Sequence, residues 1–207
     1  MLEQQIGSIE FVGSFRDTLF QNAARRMSGS SGTVQFARPM VLTNSLFRFI
    51  IAEQLAQEGI DPEAILIEPE GRNTAPAILA AALYLAQKQP DAIMLVAPSD
   101  HVISDKAAFH EAVGKGLSAI AQGQMVTFGI QPTRAETGYG YLEIGARPDG
   151  SGQPIALSSF VEKPDAATAQ CYLDEGGFYW NAGMFVLKAS VWLSALSAFR
   201  PDIAEAE

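Results

Sequence analysis

The chain has 207 residues, 48% of them hydrophobic, a single cysteine and a net charge of −9, which suits one sizeable α/β core. That charge argues against a general binder of nucleic acid or anionic membrane, whose affinity comes from neutralising phosphates, and a lone Cys171 excludes an intramolecular disulfide or a multi-cysteine zinc site. No apolar run reaches the roughly 18 residues of a membrane-spanning helix, and MLEQQIGSIE lacks the basic-then-apolar order of a secretory signal, so the expected location is the cytoplasm.

Along the chain, TLFQNAARRM is helix-like. The following SGSSGT (Ser28 to Thr33) imitates a phosphate loop, but such a loop follows a strand, so this one reads as a flexible turn. Strand-like runs recur at Met40 to Thr43, Ala64 to Ile67, Ala92 to Ala97 and Met125 to Ile130, separated by helical patterning. Asn44 is placed to cap a helix whose face carries Leu46, Phe47, Ile50, Ile51 and Leu55, with Gly59 at its end. Further helices are predicted from about Ala75 to Gln87 and from Ser104 or Asp105 to about Gln122. After Tyr139 the pattern changes to shorter strand-like runs, with a helix over Ala166 to Leu173 and another from about Ser190. This βαβα rhythm predicts an α/β fold, a mostly parallel sheet covered by helices on both faces, with a mixed β extension.

Ligands of open α/β sheets sit beyond the carboxyl ends of the strands, so the residues after each apolar run are the candidates for chemistry. PSDH puts Asp100 where a carboxylate either holds Mg²⁺, a hard cation that takes one or two carboxylates plus phosphates, or caps a turn. His101 has no second histidine at ligand spacing and reads as support for the loop. EPEGRNTAP offers backbone N–H groups, an arginine and a helix start with Pro76 in its first turn, which suits an anion or a base edge. Equally, Asn73 or Thr74 simply caps the helix. In FVEKP, Glu162 and Lys163 point to opposite faces unless the chain bends at Pro164, and otherwise form a solvated ion pair. In YWNAGMF, Asn181 and the small Gly183 lie ahead of a strand, either letting a sugar approach the backbone or forming a turn.

Taken in order, EPEGRNTAPAI, APSDHVI, FGIQPTRAETGYGYLE, FVEKPD and YWNAGMFV resemble the sugar-nucleotide pyrophosphorylases, over about Phe11 to the C-terminus. Within that family the motifs are most similar to those of the mannose-1-phosphate guanylyltransferases. The resemblance implies a Rossmann-like nucleotidyltransferase core occupying residues 1–207, and Mg²⁺-assisted formation of GDP-mannose and pyrophosphate from GTP and mannose 1-phosphate. Its attack on the α-phosphorus is in line, so catalysis rests on positioning and charge neutralisation. It implies that Asp100 holds the metal and that Lys163 neutralises the sugar phosphate. Glu68, Gly71, Arg72, Asn73, Thr74 and Ser99 face the nucleotide, and Tyr139, Gly140, Glu162, Asn181 and Gly183 surround the mannose. The family's glycine-rich loop, GGxGTRLxPxSxxxPKQ, does not precede Phe11, and its second metal-binding aspartate lies beyond Glu207. The expectation is therefore a core incomplete at both ends and weakly active, with Ile6 to Val12 partly filling the place of the first strand. A non-catalytic sugar-nucleotide-binding subunit, or an enzyme for another hexose 1-phosphate, is the alternative, and a homo-oligomer is left open.

Overall fold

A computed structural model of the chain describes residues 17–31, 34–69 and 74–204, divided into two units: residues 1–71 with 98–109, and residues 72–97 with 110–207. The segment Ile6 to Val12 lies outside the described residues.

The first unit starts with a capped helix, α1 (Leu19–Arg26). The Thr18 hydroxyl accepts the Gln21 N–H at 3.1 Å while the Gln21 side chain accepts the Thr18 N–H at 2.9 Å, so two amides that a helix start leaves without partners are satisfied reciprocally. Polar side chains then tie α1 to a second helix, α2 (Arg48–Gln57). Thr18 donates to Gln54 at 2.9 Å and Gln21 to Gln57 at 3.0 Å, and Arg25 pairs with Glu58 and, at 2.8 Å, with Asp17. The bond to Glu58, then that to Asp17, raises the Arg25 pKa still further above its ordinary value.

After α1, strands β1 (Ser30–Ser31) and β2 (Val34–Gln35) form a small antiparallel ladder, so the described part of SGSSGT, Ser28 to Ser31, follows a helix and enters a strand. Strands β3 (Met40–Asn44) and β4 (Ala64–Glu68) pair in parallel, from Met40 opposite Ala64 to Asn44 opposite Glu68, with α2 between them. This is the βαβ connection that the two apolar runs predict.

The start of α2 differs from expectation. Asn44 Oδ1 accepts the N–H groups of Leu46 at 2.9 Å and Phe47 at 3.2 Å, closing a turn ahead of the helix rather than capping it. Leu46 and Phe47 therefore fall outside the helical period. Leu46 is 83% exposed, and only Leu55 of the expected apolar face is buried. Gly59 ends the helix as predicted, at φ +66°, a conformation glycine adopts freely.

The second unit contains α3 (Thr74–Ala86), β5 (Ile93–Val96), most of α4 (Lys106–Ala121), β6 (Val126–Ile130), β7 (Tyr141–Ile144), β8 (Leu157–Val161), α5 (Ala166–Glu175), β9 (Phe178–Lys188), α6 (Ala189–Phe199) and α7 (Pro201–Ala204). Asp105 caps α4 by accepting the Ala108 N–H at 2.9 Å, and Asp165 caps α5 by accepting that of Thr168 at 2.8 Å. β9 organises the sheet. Val186 pairs with Leu95 of β5 on one side and with Val126 of β6 on the other, both antiparallel, so β5 and β6 run in the same direction. Further along, β9 pairs with β7, which pairs with β8. β3, β4 and β5 are each followed by a helix, β3 and β4 pair in parallel, and the ladders through β7, β8 and β9 are antiparallel, which makes this the α/β fold the sequence predicts.

Its core is packed by small residues on α3. Ala82 is fully buried with Ile78 against Met94, Leu187 and Ala189, and Leu85, Trp192 and Leu193 close the cluster. An alanine there lets α3 and α6 approach closely, and a side chain such as Leu187 contributes roughly 1.5–3 kcal/mol through its burial. A second cluster gathers Tyr141, Ala169 and Trp180, with Tyr172 and Phe178 stacked at 3.9 Å between ring centroids.

Candidate active site

In the first unit the candidate side chains are presented by backbone position alone. Glu68 is the last residue of β4, half-buried, and Ser99 and Asp100 lie exposed in the bend after β5. None of the three makes a side-chain hydrogen bond or ion pair with the described residues. Asp100 is thus not a turn cap. Gly71, Arg72 and Asn73 lie outside the described residues, and Thr74, which belongs to the second unit, stands exposed at the first position of α3, with Pro76 in the first turn. The His101 carbonyl accepts a long hydrogen bond, 3.5 Å, from Arg26 Nη1. Arg26 is 4% exposed and lies over the Phe109 ring, and burial pulls its pKa below the ordinary value.

Asp100 fits a hard divalent cation. Its carboxylate is exposed and makes no ion pair among the described residues, and Mg²⁺ keeps several waters and takes one or two carboxylates together with substrate phosphates. Among the described residues no group of three or more His, Cys, Asp or Glu forms a cage of protein ligands alone. A single carboxylate completed by phosphates is the chemistry this donor set suits.

In the second unit the candidates are interlocked. The bend on which FVEKP depends is present: Lys163 has φ +47°, the one described non-glycine residue in the left-handed region, and the following Pro164 is buried. Adjacent side chains of an extended strand diverge, but this turn brings Lys163 Nζ to 3.5 Å from Glu162 Oε1. Holding a lysine there costs about 1–2 kcal/mol, and such strain persists where the surroundings fix it, often at ligand sites. Glu162 also borders Gly140. A Cβ at position 140 would meet Glu162 Oε2 at 2.9 Å and Phe160 Cζ at 2.8 Å, so only glycine fits without displacing them.

The Gly140 carbonyl accepts the Asn181 N–H at 2.8 Å, joining this group to β9. Asn181 and Gly183 lie inside β9 rather than ahead of a strand or in a simple turn, and Gly183 has φ +66°. The register shows why. Thr127 pairs with Phe185 and Gly129 with Asn181, so Phe128 alone faces Ala182 to Met184, a bulge that glycine accommodates. Asn181 Oδ1 accepts the Gly183 N–H at 3.1 Å.

The loop before β7 is equally tied down. Glu136 Oε1 accepts the Gly138 N–H at 3.1 Å, and its Oε2 accepts Arg134 Nη2 at 3.0 Å. The Gly138 amide, then Arg134, holds the Glu136 carboxyl below the usual carboxylate range. The buried Tyr141 hydroxyl donates to the Glu136 carbonyl at 2.9 Å and accepts its N–H at 3.0 Å. Tyr139 meets Trp180 edge-on at 5.4 Å, and the Arg134 guanidinium lies 5.2 Å from the same ring. Tyr139, Gly140, Glu162, Lys163, Asn181 and Gly183 therefore belong to one connected assembly. Thr127, Arg134, Glu136 and Trp180 support it, and none was singled out from sequence. The spacing of Glu136 to Gly138 is a local signal that could have revealed one of them, whereas the partners of Thr127 are distant in the chain.

The chain is thus an α/β protein with an exposed carboxylate after β5 and an exposed lysine on the bend after β8. A family model described as Nucleotidyl transferase matches residues 10–206, and the chain belongs to that family. It is 53% identical over 176 residues to the xanthan biosynthesis protein XanB of Xanthomonas campestris pv. campestris (strain B100), an alignment covering 85% of this chain and 37% of that protein. It is 43% identical over 192 residues to a mannose-1-phosphate guanylyltransferase of Klebsiella pneumoniae, covering 92% and 40% respectively. The chain thus spans about two fifths of the length of the curated relatives it matches. Among solved structures, the mannose-6-phosphate isomerase from Helicobacter pylori superposes with a TM-score of 0.81 at 29% identity, over 99% of this chain and 75% of that one.

Proposed function

We propose that this chain is the nucleotidyltransferase core of a mannose-1-phosphate guanylyltransferase, which joins GTP and mannose 1-phosphate into GDP-mannose and pyrophosphate. The observation that carries the reading is 43% identity, over 92% of the chain, to a relative bearing that name. In the reaction a phosphate oxygen of mannose 1-phosphate attacks the α-phosphorus of GTP, and the bond from that phosphorus to the β-phosphate oxygen breaks, so pyrophosphate leaves. No covalent intermediate with the protein is needed, and the residues act by holding reactants and balancing charge.

Lys163, turned outward on its bend, is the group for the sugar phosphate. Glu162, Asn181, Gly140 and Tyr139 are those for the sugar hydroxyls and ring, with Gly183 shaping the strand beneath. Glu68, Ser99 and Thr74, with Gly71, Arg72 and Asn73, are assigned to the guanine nucleotide. Asp100 would hold Mg²⁺, which when bound supplies positive charge against the phosphate oxygens. No helix among the described residues is long and apolar enough to cross a membrane, and we place the reaction in the cytoplasm.

A thermal-shift panel of GDP-mannose, GDP-glucose, UDP-glucose and GTP, with and without Mg²⁺, tests the reading, followed by pyrophosphate release from GTP and mannose 1-phosphate. The expected outcome is the largest stabilisation by GDP-mannose and a slow, Mg²⁺-dependent release. Stabilisation by none of the four would overturn it, and preference for another sugar nucleotide would reassign the substrate.

A further inference from the structure

Asn181 Oδ1 has a second neighbour besides the Gly183 amide. The Thr127 hydroxyl oxygen, on β6, lies 3.1 Å from Asn181 Oδ1 and 3.0 Å from the Met184 carbonyl. It has one proton to give. Both neighbouring oxygens accept, so the proton is shared between them, and the orientation of the carboxamide is decided by its other partner, the Gly183 N–H. Turning the carboxamide over would set its NH₂ against the Gly183 N–H, donor against donor. The Gly183 N–H therefore sets the carboxamide oxygen into the bulge, where the Thr127 hydroxyl, shared between that oxygen and the Met184 carbonyl, is its second donor. The other end of the amide is then fixed as well. Asn181 Nδ2 makes no hydrogen bond with the described residues and retains solvent access.

We infer that Thr127 is a positioning residue for sugar recognition: together with the Gly183 amide it locks the Asn181 carboxamide so that Nδ2 is presented outward as a donor to a sugar hydroxyl. This rests on the assignment of Asn181 to the sugar given above. Gly183 gains a role of the same kind, because its positive φ forms the bulge and aims its N–H at Asn181. Thr127 touches no ligand. Its effect is carried by the orientation and the lost rotational freedom of the amide it holds, which a ligand would otherwise have to impose on binding.

Isothermal titration of the whole chain with GDP-mannose and with GDP separates the sugar's share of binding from the nucleotide's. The variants are T127V, which keeps the shape and strand preference but not the hydroxyl, T127S, which keeps the hydroxyl, N181A, and the double variant N181A/T127V. The expectation is that T127V weakens GDP-mannose about two- to tenfold, the worth of one ordinary hydrogen bond, and leaves GDP unchanged. T127S should restore the wild-type ratio. N181A should weaken GDP-mannose at least as much as T127V, and adding T127V to N181A should cost nothing more, as two residues acting through one contact require. If N181A lowers the GDP-mannose to GDP ratio but T127V does not, or if T127V weakens both ligands alike, the role given to Thr127 is overturned while Asn181 keeps its own. If N181A leaves the ratio unchanged, or the wild-type chain does not prefer GDP-mannose to GDP, the placement of Asn181 falls and Thr127 with it.

Discussion

The two units hold their candidate residues in opposite ways. In the first, Glu68, Ser99 and Asp100 stand at strand ends with no side-chain partner among the described residues. In the second, Asn181, Glu162, Lys163 and the loop around Glu136 are gripped by backbone amides, a hydroxyl, an ion pair and aromatic rings. On the function proposed above, the difference matches the ligands each set would meet. Phosphates and a divalent cation bring large charges that orient unpartnered carboxylates on arrival. Apart from the phosphate proposed for Lys163, a sugar offers only neutral hydroxyls, each worth little, and selecting among them requires donors already set in place.

The contrast predicts a graded series of effects. The largest is expected at Asp100, where Asp100→Ala should lower the rate of pyrophosphate release about 10²- to 10³-fold, as for removal of one well-placed charge-stabilising group. GDP-mannose binding without metal should be unchanged in that variant, and activity within tenfold of wild type would show that Asp100 does not hold the cation. Lys163 comes next. Lys163→Gly relieves the left-handed strain of about 1–2 kcal/mol, so its urea midpoint should match or exceed wild type, while kcat/KM for mannose 1-phosphate falls about 10- to 150-fold, the range for a hydrogen bond to a charged group. Loss of stability with kcat/KM intact would make the lysine structural. The smallest effect concerns pH. Because the folded Glu136 carboxyl has a lowered pKa, its contribution to stability is fully present above the unfolded value of about 4.3 and is lost as pH falls through the folded one. The difference in urea midpoint between wild type and Glu136→Gln should be greatest above about pH 5 and shrink towards pH 3; a difference independent of pH would show that ionisation of Glu136 plays no part in holding the loop.

Much of the frame was legible because it is local. Asp105 caps α4, Gly59 closes α2, and β3 and β4 pair in parallel where two apolar runs flank a helical pattern. Pro164 foretold the bend at Lys163. Illegible features depend on residues far apart in the chain. The sequence around Asn181 looks like the approach to a strand, and only pairing with β6, more than fifty residues earlier, makes it a bulge within one. At α2, Asn44 has both a capping residue's chemistry and that of a turn, and the turn prevailed, leaving Leu46 out of the helix. Glu136 and Trp180 lie within the motifs that carry the resemblance, but their interactions run through backbone amides and ring faces that residue type does not announce.

The position of β9 in the sheet also bears on how the chain reaches its folded state. β7 and β8 are close enough in sequence to pair as they are made, but β5 and β6 have β9 as their partner. At a synthesis rate of about 5–20 residues per second, on the order of ten seconds pass between the emergence of β5 and that of β9. Throughout that interval Met94, Leu95 and Val96 lack the strand that will cover their backbone edge. A nascent chain with an open apolar edge is prone to pair with its neighbours, so yield in a cell should depend more on chaperone supply and growth temperature than the stability of the finished fold would suggest.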